Sequence, residues 1–165
     1  MPIYFGYYRI IYLFHLVFGV VMICALFGNS QLFGNIEPLL EQALSNLIES
    51  TSSIEFFVGT HGHFDSIALC VLKKLKVRYP HMEYTVVLAY LNGAQECYHT
   101  DFSHSVFPQI LESVPLRFAI DKRNRWMIEQ AHTVMTYTRY STGHTAKYKQ
   151  LAIKKGKNVI ELYHP

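Results

Sequence analysis

Three stretches carry residue types and spacings that could do chemistry. The first is Gly59-Thr60-His61-Gly62-His63-Phe64-Asp65. Two imidazoles and a carboxylate this close could approach a metal ion, but Ser66 follows where a further ligand would be needed. An incomplete ligand set does not predict a metal site. Two other uses stay open. The glycines can bring backbone N–H groups to a helix start, an anion site, with Asp65 capping the helix or accepting from a ligand hydroxyl. Alternatively this is a plain turn with an Asp cap and two solvated histidines. Asp65 is the acid/base candidate should the protein be catalytic.

The second stretch is Asp121-Lys122-Arg123-Asn124-Arg125-Trp126. Arginine matches phosphate with two parallel N–H donors, and Asn124 can both donate to and accept from a base or ribose. On a helix Arg123 and Arg125 diverge, so one can face a ligand while the other pairs with an acid. The alternative is a solvated helix start with Trp126 as a core anchor. The third stretch, Arg139-Tyr140-Ser141-Thr142-Gly143-His144-Thr145, puts hydroxyls and a glycine ahead of a helix. They serve either the helix's own N–H groups or a bound phosphate. The Gly-Lys-Ser/Thr ending of a Walker loop is missing, and no cofactor is expected.

These stretches need a scaffold that turns repeatedly from strand to helix. Met22 to Phe27 reads as a first strand, ended by the turn composition Gly28-Asn29-Ser30. A helix follows from about Ile36 to Glu49, with Leu39, Leu40, Ala43, Leu44, Leu47 and Ile48 on one stripe. Ile54 to Val58 is a second strand. Phe64 to Tyr79 is an amphipathic helix with Ile67, Leu69, Cys70, Leu72, Leu75 and Val77 mostly inward, stopped by Pro80. Tyr84 to Tyr90 is a third strand, apolar throughout as in a parallel sheet covered on both faces. Leu91 to Pro115 reads as a long loop with a short turn around Phe107 to Leu111, and Leu116 to Ile120 as a brief extended piece. Arg123 to Arg125 lead into a helix, Thr133 to Thr138 is a strand, Thr145 to Lys155 a helix, and Val159 to Leu162 the last strand. The expected fold class is α/β, a Rossmann-like three-layer α/β/α domain with a mainly parallel sheet of about five strands. Ligands bind such sheets at the C-terminal ends of the strands.

The 165 residues fit one domain, with 50% hydrophobic and 15% aromatic content sufficient for a continuous core. A formal net charge of +3, spread along the chain, does not make nucleic acid an expected partner; a local pocket for an anionic small molecule is compatible with it. Cys24, Cys70 and Cys97 show no paired spacing and read as reduced thiols of a cytoplasmic protein. Residues 1–21 are apolar and aromatic. A membrane anchor is one reading, since the uncharged run from Ile10 to Phe27 is about 18 residues long and Arg9 flanks it. A secretory signal lacks its small-x-small cleavage site. The reading adopted is an extension from a mis-assigned start, with the domain spanning 22–165, because a membrane helix would consume the first strand. Membrane anchorage is then the alternative location, and a homo-oligomer is left open.

VGTHGHFDSIAL, SVPLRFAIDKRNRWMIEQAHTVMTY and TGHTAKYKQLAIKKGKNVIEL together resemble the YpsA-like bacterial domains of the SLOG superfamily, named for DNA-processing protein DprA (SMF) and the lonely-guy cytokinin-activating enzymes. The resemblance implies a Rossmann-like fold and a nucleotide or nucleotide-derived ligand, with Gly28, Gly59, Gly62, Asp65, Arg123, Asn124, Arg125 and Gly143 at the site. Thr60, Ser141, Thr142 and Thr145 complete the candidate set from their neighbourhood. The chain departs from related sequences at Asn29-Ser30, where His-Arg is frequent, and at His144, where a second glycine is. The lonely-guy phosphoribohydrolases carry PGGxGTxxE, and Tyr148 stands here at the glutamate. The resemblance thus implies a ligand-binding domain, or failing that a hydrolase of an N-glycosidic or phosphate bond.

Overall fold

The computed structural model describes residues 21–91 and 104–163. Residues 1–20, in which an extension or anchor was expected, and Cys97 lie outside the described residues. Six parallel strands form one sheet in the order β4-β3-β2-β1-β5-β6: β1 (Met22–Gly28), β2 (Ile54–Val58), β3 (Glu83–Val87), β4 (Ser105–Val106), β5 (Thr133–Tyr137) and β6 (Asn158–Glu161). Helices α1 (Glu37–Glu49) and α2 (His63–Arg78) cover one face, and α3 (Leu116–Gln130) and α4 (His144–Lys154) the other. Among the described residues no helix is long and apolar enough to cross a membrane.

The period of two along each strand divides the core between the faces. Cys24, Leu26, Phe56, Val58, Val86 and Met135 join the α1/α2 cluster, while Ala25, Phe27, Phe57, Val87 and Val134 join the α3/α4 cluster. This is why the strands read as unbroken apolar runs. Burial pushes the Cys24 thiol up to about 12, leaving it a small apolar side chain.

The five expected strands are β1, β2, β3, β5 and β6. The sixth, β4, is two residues paired with Val86 and Val87, too short for an apolar pattern to announce. The expected extended piece at Leu116 to Ile120 is instead the first turn of α3, which begins directly after Pro115. Proline suits a helix start, and the alternating Leu-Arg-Phe-Ala-Ile imitates a strand locally. Three residues assigned inward are exposed: Leu39, Cys70 and Val77, the last at 85%. The buried stripe of α2 is instead Phe64, Asp65, Ala68, Leu69, Val71, Leu72 and Leu75.

Strand order reverses between β1 and β5: the chain moves outward from β1 through β2, β3 and β4, then returns to β5 on the other side of β1. Right-handed crossovers place the intervening helices on opposite faces, so a crevice opens beyond the C-terminal ends of β1 and β5. Gly28 ends β1 there because the ring of Phe64 presses on it; a Cβ on Gly28 would lie within 2.7 Å of Phe64 Cβ and collide with the ring itself. Gly28→Ala should therefore cost roughly 1–3 kcal/mol of unfolding free energy by overpacking. In urea titrations the Gly28→Ala/Phe64→Ala pair should be less destabilised than the sum of its single variants; strict additivity would show that the two side chains do not meet.

Candidate functional site

The crevice is a cleft of about 460 Å³. The C-terminal end of β1 contributes Gly28, Asn29 and Ser30, and the β2–α2 turn contributes Gly59, His61, Gly62 and Asp65. From α3 come Arg117, Ile120, Asp121, Arg123, Asn124 and Met127, and from α4 His144, Thr145 and Tyr148. Of the candidate residues, Gly28, Gly59, Gly62, Asp65, Arg123, Asn124 and Thr145 thus meet at one cleft. Thr60, Arg125, Ser141, Thr142 and Gly143 are not among its lining.

Both helices that start at the cleft are preceded by a glycine in a backbone conformation closed to other residues. Gly62 has φ +104° and ψ 166°, and Gly143 has φ +104° and ψ 179°. Neither helix has a side-chain cap. Asp65 is not the helix cap its position suggested. It is the third residue of α2, and its Oδ2 reaches back to accept the His61 backbone N–H at 2.9 Å.

Asp65 and Arg123 converge on Gly59. A Cβ there would overlap Asp65 Oδ2 and lie 2.5 Å from Arg123 Nη1, so only glycine fits. Arg123 is 1% exposed and donates from Nη1 to the Val87 carbonyl at 2.8 Å. Because α3 starts at Leu116, not near Arg123, this side chain falls on the inner face of the helix. It ties α3 to the end of β3 and faces Asp65. Burial pushes the Asp65 carboxyl up to about 6, against the opposing pull of the Arg123 charge and the His61 N–H. Enclosure, then the same Arg123 charge, lowers the His61 imidazole; its Nδ1 lies 3.0 Å from Thr60 Oγ1 and its ring packs edge-on to Tyr90.

Arg125 points away, 2.7 Å from Asp121. Asp121 also accepts from Lys147 Nζ at 3.1 Å and from the Tyr148 hydroxyl at 3.0 Å, which joins α3 to α4. Burial works against the charged form of Asp121, but these three donors outweigh it and hold the carboxyl at about 2. Tyr148 is buried, which raises its phenol; the Asn124 side chain bonded to it pulls the other way. Four of the lining residues outside the candidate set, Asn29, Ser30, His144 and Tyr148, stand where the chain departs from the sequences it resembles. Arg117 has no such signal, since it lies in the segment that reads as extended. Among the described residues no group of three or more His, Cys, Asp or Glu side chains is placed to hold a metal ion.

No family model matches the chain, and no curated protein matches it. Its fold is shared with a solved structure, DNA processing protein A (DprA) from Streptococcus pneumoniae, at a TM-score of 0.58 and 13% sequence identity. The likeness covers 86% of this chain and 50% of that one, so the chain spans half the length of that protein.

The raised Asp65 carboxyl has a pH signature. A carboxyl that holds its proton more tightly in the folded than in the unfolded chain contributes stability that is complete below its unfolded value, near 3.8, and lost as pH rises through about 6. The native protein should therefore lose roughly 3 kcal/mol more than Asp65→Asn between pH 3.5 and 7. Parallel denaturant curves across that window would refute a buried, raised Asp65.

Proposed function

We propose that this is a ligand-binding domain of the SLOG type whose cleft takes a nucleotide or nucleotide-derived anion. The observation that carries the reading is the convergence of an uncapped helix N-terminus with the hydroxyl of Thr145, a residue 6% exposed, at the switch point of a parallel sheet. Aligned peptide dipoles and free N–H groups favour an anion there. Arg117 and His144 line the same cleft, and Asn124 and Asp65 offer hydrogen-bonding groups suited to a sugar or base. The resemblance of the three sequence stretches to YpsA-like domains points to the same class of ligand, and the fold shared with DprA is compatible with it.

A second reading, hydrolysis of an N-glycosidic or phosphate bond, is favoured by one observation. Asp65, at about 6, can exchange a proton near neutral pH from within the cleft. Asp121, held at about 2 by three donors, is poorly suited to that role, and Tyr148 is spent on it.

A panel of nucleoside monophosphates and ADP-ribose derivatives tests both readings. A true ligand at one hundred times its Kd should raise folding stability by about 2.7 kcal/mol, seen as a shift in Tm. Thr145→Val should reduce that rise by about 1–2 kcal/mol while leaving the unliganded Tm nearly unchanged. A flat response to the whole panel overturns the proposed ligand class. Release of free base or phosphate during incubation, lost in Asp65→Asn, would establish the second reading in place of simple binding.

A further inference from the structure

Two arginines and two carboxylates line the cleft, and with the histidines neutral their charges balance: Arg117 and Arg123 against Asp65 and Asp121. The guanidiniums keep their charge at any pH near neutral. Asp121 keeps its own as well, because against the cost of burial Arg125, Lys147 and Tyr148 hold its carboxyl at about 2. Asp65 differs. It is 8% exposed, and burial raises its carboxyl to about 6 in spite of the Arg123 charge and the His61 N–H.

Asp65 and Arg123 come from helices on opposite faces of the sheet and meet over Gly59, where a Cβ would overlap Asp65 Oδ2 and lie 2.5 Å from Arg123 Nη1. Little water reaches either side chain, so a unit of charge gained or lost at this point acts strongly on whatever enters the cleft. The other titratable groups around the pair are drawn elsewhere in pH. Burial and then the Arg123 charge lower the His61 imidazole of the β2–α2 turn, which takes its proton at a more acid pH than an ordinary histidine. Burial raises the Tyr148 phenol of α4, which stays neutral. His63 opens α2 and is exposed, and His144 of α4 is an exposed member of the lining. The end of β1 approaches with Asn29 and Ser30, neither of them titratable.

We infer that Asp65 is a proton switch on ligand entry: ionised, it balances Arg123 and leaves the lining without net charge, and protonated, it leaves the lining with one net positive charge, so that an anion enters together with a proton. The inference rests on the anion-binding reading above and adds its regulation. The proton comes from solvent and stays on the Asp65 carboxyl, which can donate it in a hydrogen bond to the anion. Ionised, the same group repels the anion with little water to screen it. By reciprocity, a bound anion raises the pH at which Asp65 gives up its proton.

ADP-ribose is the probe, since its phosphates are esterified and exchange no proton between pH 5 and 8; sulfate is a simpler anion with the same property. In calorimetric titrations of the full chain, affinity for ADP-ribose should fall roughly twentyfold from pH 5.5 to 7.5, following the fraction of chains that hold a proton on a carboxyl near 6. At pH 6.5, in two buffers of different ionisation enthalpy, binding should take up about three-quarters of a proton. Asp65→Asn, which is fixed in the neutral form, should bind at pH 7.5 about as tightly as the native chain at pH 5.5 and take up none. His61→Gln and His144→Gln should keep the steepness in pH whatever they do to affinity. In the native chain the 13C resonance of the Asp65 carboxyl should titrate near pH 6 and move to higher pH with saturating ADP-ribose. A native affinity independent of pH, a steepness that survives Asp65→Asn, or a carboxyl titration that ADP-ribose does not move overturns the inference while leaving the ligand reading standing. Binding of neither ADP-ribose nor sulfate anywhere in the range defeats both.

Discussion

A guanidinium taken almost wholly out of water is the constraint on which the site end of this fold depends. Arg123 cannot shed its charge, so its burial obliges the surroundings to supply acceptors and a compensating carboxylate. The Val87 carbonyl at the end of β3 accepts from Nη1, and the Asp65 carboxyl on α2 supplies an opposing charge from a second element. Gly59 has to be a glycine because both groups lean on it. One side chain therefore links α3 to the end of β3 and lies against Gly59 beside Asp65.

That arrangement changes what the basic residues are for. Arg123, expected among the ligand-binding residues, lines the cleft and also ties α3 to the end of β3, while its neighbour Arg125 closes a surface pair with Asp121. The groups left open are a helix N-terminus, the Thr145 hydroxyl and one oxygen of Asp65. The Arg123–Val87 bond and the Asp121–Tyr148 link between α3 and α4 join the elements that carry those groups. A cleft pre-organised in this way orders fewer groups when it binds, which favours affinity.

Much of the scaffold was legible in the sequence because burial on both faces leaves a strong signal. Ile54 to Val58 and Thr133 to Tyr137 are apolar or β-branched almost throughout, and glycine punctuation marks where α2 and α4 begin. What could not be read depended on distant neighbours. Leu116 to Ile120 alternates like a strand, and only the packing of Ala119, Arg123 and Met127 beneath it shows that it is helix. β4 exists because Val86 and Val87 offer it an edge. For the site, Gly59-to-Asp65 and Thr145 stood out from their types alone, whereas the inward turn of Arg123 required knowing where its helix starts. Arg117 and Asp121 gain their places from that same start. The exposure of Ser141 and Thr142, which carry the obvious phosphate-binding hydroxyls, follows from a loop whose conformation the residue types do not specify.

On the proposed reading the anion sits at the N-terminus of α4, where Thr145 lines the cleft, and not at that of α2, whose first turn carries Asp65. Backbone amide shifts in a 15N-labelled chain titrated with adenosine monophosphate read this directly. The largest changes are expected at His144, Thr145 and Ala146, with His63 and Phe64 little moved. Changes centred on His63 and Phe64, or on the outer surfaces of α1 and α2 with α4 silent, would contradict it.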